Sequence, residues 1–214
     1  MLPAMMVLGF DDYEVQSRKL ADALNIPCQI IQRHCFPDGE NKLTLPTGLP
    51  EHVLFCRSLD HPNEKLLELL LAAKTARELG AKTLTLVAPY LCYMRQDKAF
   101  HPGEAISQPI IGNFLADLFD NVITIDPHLH RIQHLEQAVP TKNAVALTAT
   151  SLMAEFLHES FKDPVILAPD SEAEQWVKAV AKPDQWAYGV CNKIRTGDLE
   201  VEISLPEINL QGRS

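Results

Sequence analysis

Apolar residues along this chain gather into short runs of strand length, separated by longer segments with a helical period. The runs are "AMMVL" (4–8), "HVLFC" (52–56), "TLTLV" (83–87), "VITID" (122–126), "PVILA" (164–168) and "WAYGVC" (186–191). Short continuous apolar runs bounded by polar turns are the pattern of strands buried on both faces. Between two of them, "NEKLLELLLAAKTARELG" repeats Leu66, Leu69, Leu70, Ala73, Ala76 and Leu79 near every 3.6 residues, with Asn63 as N-cap and Gly80 as stop. Helices are also predicted over 13–24, 107–119, 149–160 and 172–181, and residues 28–57 read as an excursion of strands. This order predicts an α/β protein with parallel sheets flanked by helices on both faces. A Pro-Thr break in "EQAVPTKNAVALTATS" restarts the series, so a first domain over 1–140 and a second over 141–214 are expected. The second is expected to be incomplete, because "VEISLPEINLQGRS" stops where a further strand would begin.

Composition narrows the function classes. With 46% hydrophobic and 22% charged residues the chain has the make-up of an ordinary globular protein with a real core. A formal charge of −9 argues against nucleic acid as a partner, since such binding needs a basic face, although a local basic pocket is compatible with it. The five cysteines are odd in number and form no C-x-x-C pair, which disfavours a disulfide framework or a zinc knuckle and points to a reducing, cytoplasmic setting. The start "MLPAMMVLGFDD" lacks the basic region of a signal peptide and meets Asp11 early. The uncharged run "TLTLVAPYLCYM" falls short of the roughly 20 residues that span a bilayer, so no membrane segment is expected.

Open parallel sheets bind ligands beyond the carboxyl ends of their strands. There the chain carries "PYLCYMRQDK", "DPHLHR", "PDSEAE" and "CNKIRTGD" in turn. These clusters supply the cations Arg95, Lys98, Arg131, Lys193 and Arg195, the carboxylates Asp126 and Asp170, and His128 and His130 between them. Cations neutralise phosphoryl oxygens and carboxylates hold Mg²⁺, so the combination suits a metal-polyphosphate ligand. Neither a Walker A loop nor G-x-G-x-x-G occurs. Each cluster also has a purely structural reading: Asp126-Pro127 is ordinary turn chemistry, Asp170 is placed to cap a helix, and loop cations are commonly solvated. Their recurrence after successive strands is what favours a shared site.

Taken in order, "FPDGE" (36–40), "PYLCYMRQDKAFHPGEAIS" (89–107), "VITIDPHLHRIQ" (122–133), "APD" (168–170) and "NKIR" (192–195) resemble the ribose-phosphate pyrophosphokinase family, its archaeal-like branch in particular. The resemblance implies two phosphoribosyltransferase-like domains. It also implies a reaction in which ATP, with Mg²⁺, passes its β,γ-diphosphoryl group to the 1-hydroxyl of ribose 5-phosphate and leaves AMP. On the matching positions, Asp38 and Glu40 would hold the adenine with Phe36 packing near it, typically in a neighbouring subunit of a homo-oligomer. Arg95 and Gln96 would contact ATP, His128 and Asp170 would serve the Mg²⁺-ATP site with Asp126 nearby, and Lys193 and Arg195 would be the catalytic pair on a mobile loop. The match departs from the family in two places. The V-D-D-x-x-x-T-G-G-T loop that cradles ribose 5-phosphate is missing, and "PDSEAEQW" stands where many members carry paired glycines. This piece alone is therefore expected to turn over little. The alternative is a non-catalytic regulatory homologue that binds nucleotide within an oligomer. A purine or pyrimidine phosphoribosyltransferase would need the very loop that is absent.

Overall fold

A short strand cannot bury its own faces, so the apolar runs become stable only when helices carry the chain back to lay strand beside strand. The computed structural model describes residues 4–129, 131–195 and 201–208, and contacts divide the chain into Met1–Leu147 and Thr148–Ser214.

The first unit runs β1 Met5–Gly9, α1 Glu14–Leu24, β2 Cys28–Ile30, β3 Gln32–Cys35, β4 Asn41–Thr44, β5 His52–Cys56, α2 Pro62–Glu78, β6 Thr83–Val87, α3 Ser107–Leu118, β7 Asn121–Ile125 and β8 Asn143–Leu147. Six strands form one sheet in the order β2-β1-β5-β6-β7-β8, every neighbouring pair parallel. Among the described residues, β3 and β4 pair only with each other, as an antiparallel hairpin.

Alternation along each strand divides the core between the two faces. Leu8, Val53, Phe55, Leu84, Leu86 and Val122 join the larger cluster with Leu66, Leu69 and Ala73 of α2 and Leu115 of α3, whereas Val7, Leu54 and Cys56 pack with Ala21 of α1. Each fully buried leucine contributes about 2 kcal/mol. The second face is covered less completely: Ile125, Val145 and Leu147 remain exposed. None of the described helices is long and apolar enough to cross a membrane.

The details of α2 differ from expectation. It begins at Pro62 rather than after Asn63, and His61 precedes it at φ 47 with no side-chain cap. Proline suits a first turn because its missing N–H has no helical partner there in any case. Gly80, at φ 101, ends the helix as expected, its N–H donating to the carbonyl of Arg77. The strand that follows the expected break at 140 is β8, which pairs with β7 as the sixth strand of the first sheet, so the first unit extends to Leu147.

The second unit contains α4 Thr150–Ser160, β9 Ile166–Ala168, a 3-10 turn Ser171–Ala173, α5 Glu174–Ala181, β10 Tyr188–Val190, β11 Asn192–Arg195 and β12 Val201–Ser204. β9 and β10 are parallel, and β11 and β12 form an antiparallel ribbon. From β9 onward this order repeats the start of the chain: β1, the 3-10 turn Asp11–Tyr13, α1, β2, then the β3–β4 hairpin. Backbone bonds repeat with it. Ile31 N–H donates to Gly9 O at 2.9 Å and Cys191 N–H to Ala168 O at 2.8 Å. The "NKIR" segment, expected as a loop after the last long strand, is thus itself a strand, because residues 201–204 supply its backbone partners.

Candidate functional site

The sheet order reverses at β1, with β2 on one side and β5 on the other, and β6 lies on the far side of β5 from this switch point. Backbone bonds hold the segments that leave β5 and β6 together: Arg57 N–H donates to Val87 O and Leu59 N–H to Tyr90 O, both at 3.0 Å. Beyond them opens a cleft of about 760 Å³, lined among others by Asp60, Asn63, Tyr90, Tyr93, Arg95 and Gln96. The loop after β6 forms one wall. Leu91, Cys92 and Met94 are buried and anchor it, while Tyr90, Tyr93 and Arg95 are exposed. Tyr93 takes the left-handed region at φ 59, and its hydroxyl donates to Asn63 Oδ1 at the start of α2.

The first turn of α3 fixes the rest of this loop. Gln108 donates through its backbone N–H to Gln96 O at 3.1 Å and through Nε2 to Met94 O at 3.2 Å. Ser107 Oγ donates to Tyr93 O at 3.3 Å. Glu104 closes the loop on itself, accepting from Phe100 N–H at 2.7 Å and Gln96 Nε2 at 3.3 Å, with His101 Nδ1 at 2.6 Å. The bond with His101, then those from backbone N–H groups, draw its carboxyl down to about 2. The Asp97 side chain, only 4% exposed, meets Arg131 Nη1 at 2.5 Å and so ties this loop to the one after β7. Across the cleft, the hydrogen bond from Lys65 keeps the Asp60 carboxyl below its usual range.

The cleft therefore gathers Arg95 and Gln96 but not every expected site residue. Phe36, Asp38 and Glu40 stand at the tip of the β3–β4 hairpin, all exposed and outside the cleft lining. Their turn is closed by Phe36 N–H donating to Glu40 O at 2.8 Å and Gly39 N–H to Phe36 O at 2.9 Å, with Gly39 at φ 91. His128 is half-buried in the loop after β7, just past Asp126, which sits at φ 43 and donates its N–H to Leu147 O. Asp170 belongs to the second unit, where Oδ1 accepts from Ala173 N–H at 3.3 Å as the cap of the 3-10 turn. The backbone of Lys193 and Arg195 lies in β11; their side chains, and the whole of His130, fall outside the described residues. Among the described residues no group of three or more His, Cys, Asp or Glu side chains could hold a metal ion. The Cys92 thiol is pushed up to about 12 by burial, which makes it a packing group and not a nucleophile.

One feature beside the cleft was not foreseen. Arg57, immediately after β5, is buried and paired with buried Glu68 of α2. The signal was available: Glu68 lies four residues before Ala72, on the side of α2 that the apolar repeat turns to the core.

Comparison with known proteins supplies the family. Residues 5–118 match the family model of the N-terminal domain of ribose phosphate pyrophosphokinase. The chain belongs to the ribose-phosphate pyrophosphokinase family. The ribose-phosphate pyrophosphokinase of Saccharolobus solfataricus is 33% identical across 98% of this chain, which spans 72% of the relative's length. That of Methanopyrus kandleri is 31% identical with the same two coverages, 98% and 72%. Both sources are archaeal, in line with the branch expected. The fold matches the crystal structure of phosphoribosylpyrophosphate synthetase from Mycobacterium smegmatis with a TM-score of 0.76 at 19% identity, over 94% of this chain and 66% of that one.

Proposed function

We propose that this chain binds Mg²⁺-ATP at the cleft beyond β5 and β6 and serves ribose-phosphate diphosphokinase chemistry. The observation that carries the reading is the placement of Arg95 and Gln96 in a cleft of about 760 Å³ beyond the carboxyl ends of β5 and β6, braced by Gln108 and Glu104, in a chain of this family. In the reaction the 1-hydroxyl of ribose 5-phosphate attacks the β-phosphorus of ATP, the bond to the α,β-bridging oxygen breaks, and AMP leaves with that oxygen. Such transfers demand positioning and neutralisation of charge more than covalent help from the protein. Arg95 neutralises phosphate while Gln96 orients it. Phe36, Asp38 and Glu40 grip the adenine of a neighbouring copy in a homo-oligomer, a role supported by their exposure at a hairpin tip that does not line the cleft of its own chain. Mg²⁺, which prefers oxygen ligands, would supply neutralisation of phosphate charge when bound with ATP. Asp170 and His128 are the groups assigned to it, and Lys193 and Arg195 the pair that meets charge on the transferred group.

Calorimetric titration with Mg²⁺-ATP tests the nucleotide site: binding is expected, and Arg95→Ala should weaken it at least about tenfold, the loss of one charged contact to phosphate. Unchanged affinity in that variant would refute the assignment. AMP release on adding ribose 5-phosphate then separates turnover from binding. Little is expected from these 214 residues by themselves, which contain no V-D-D-x-x-x-T-G-G-T stretch to cradle the phosphate.

A further inference from the structure

The buried carboxylate of Glu68 fastens both strands of the β3–β4 hairpin to α2. Its side chain is 1% exposed, and Oε1 accepts from Arg33 Nη1 of β3 at 3.3 Å and from Asn41 Nδ2 of β4 at 2.9 Å. Oε2 lies 2.6 Å from Arg57 Nη1, an ion pair that does not meet hydrogen-bond geometry. Arg57 donates through Nε to Asp12 Oδ1 at 3.0 Å and rests on the ring of Phe10 at 4.1 Å. Burying a carboxylate costs several kcal/mol unless cations and donors surround it, so this cluster is a demanding thing to keep for stability alone.

Beyond Glu68, the hairpin is tied by Arg33 Nη2, which donates to Asp11 Oδ2 at 3.1 Å, and by Leu43, which packs on the core. Every residue of β3 is exposed, and among the described residues the two strands pair with no strand but each other. Asn41 stands beside Glu40 and opposite Cys35, so the anchor sits at the base of the turn 36–40. We propose that Glu68 is a positioning residue: by holding Arg33 and Asn41 it aims Phe36, Asp38 and Glu40 at the base of a bound nucleotide. The proposal rests on the nucleotide reading of that tip given above. It also makes one helix serve two nucleotide sites, since the start of α2 lines this chain's cleft and Glu68, farther along it, holds the hairpin that reaches a neighbouring copy's.

The direct variant, Glu68→Gln, leaves Arg57 buried against a neutral partner and is open to general destabilisation. The double variant Arg33→Ala/Asn41→Ala cuts the hairpin side and keeps the Glu68–Arg57 pair; because it also removes the bond from Arg33 Nη2 to Asp11 Oδ2 at 3.1 Å, Asp11→Ala, which cuts that bond alone, is its control and should leave hairpin exchange largely unchanged. Amide hydrogen exchange is measured on the full chain, alongside titration with Mg²⁺-ATP. In the double variant, exchange over 32–44 should quicken at least about tenfold while β1, β5 and β6 keep their protection. Affinity for Mg²⁺-ATP should fall several-fold, with no further loss when Phe36→Ala is added, because both changes remove the same contact. Unchanged hairpin exchange in the double variant overturns the positioning role even if nucleotide binds normally. So does a loss of affinity that adds fully to that of Phe36→Ala. Failure of the unaltered chain to bind Mg²⁺-ATP overturns the functional reading, and the proposal with it.

Discussion

Asp120 offers the sharpest quantitative test of the fold. It lies just before β7 and draws three elements together: Oδ2 accepts from Arg77 Nη2 of α2 at 2.6 Å and from Leu84 N–H of β6 at 2.9 Å, and Oδ1 from Lys142 Nζ ahead of β8 at 2.9 Å. Partial burial pushes its pKa up, but the donors outweigh burial and hold the carboxyl at about 2, below the ordinary 3.8. A carboxyl depressed in the folded state lends stability that is present above the unfolded pKa and is lost as pH falls through the folded one. At about 1.4 kcal/mol per unit this contribution is about 2 kcal/mol at neutral pH, an upper figure because the Lys142 arm is exposed and screened by solvent. Near pH 3 roughly half of it remains. Asp120→Asn keeps the shape and removes the charge. Urea unfolding of both proteins should therefore show a gap of about 2 kcal/mol at pH 7 that narrows to about 1 kcal/mol at pH 3. A gap of equal size at both pH values would refute the reasoning, since a cost independent of pH belongs to packing and not to charge.

Two further outcomes test the frame of the site. A Cβ at Gly112 of α3 would stand 1.7 Å from the backbone oxygen of Ala138, so Gly112→Ala must displace main chain, and the midpoint of thermal unfolding should drop by roughly 5 °C or more; an unchanged midpoint would contradict this packing. Asp97→Asn weakens the link to Arg131, and amide exchange over 95–104 should accelerate several-fold with the central strands unaffected. Equal protection in the two proteins would show that the Asp97–Arg131 pair does not restrain the loop.

Local order could be read from the chain because its causes are local. Strands 52–56 and 83–87 occur where the apolar runs placed them, and the helix predicted over 107–119 spans Ser107–Leu118. A run of apolar residues or a 3.6-residue repeat states in adjacent positions what must be buried, and the ordered motifs named the family for the same reason: each lies in one short stretch. Partners distant in sequence leave no such mark. The strand at 143–147 looks the same whether it opens a second domain or closes the first sheet, and only its pairing with β7 decides. The Asp97–Arg131 tie, the Tyr93–Asn63 bond across the cleft and the convergence of Arg33, Asn41 and Arg57 on Glu68 also join residues far apart along the chain. The amino-acid order determined which segments are strands and helices and which residue types stand at their ends; only the tertiary structure decided which of those ends meet, because that choice depends on desolvating groups together that are separate until the chain has folded.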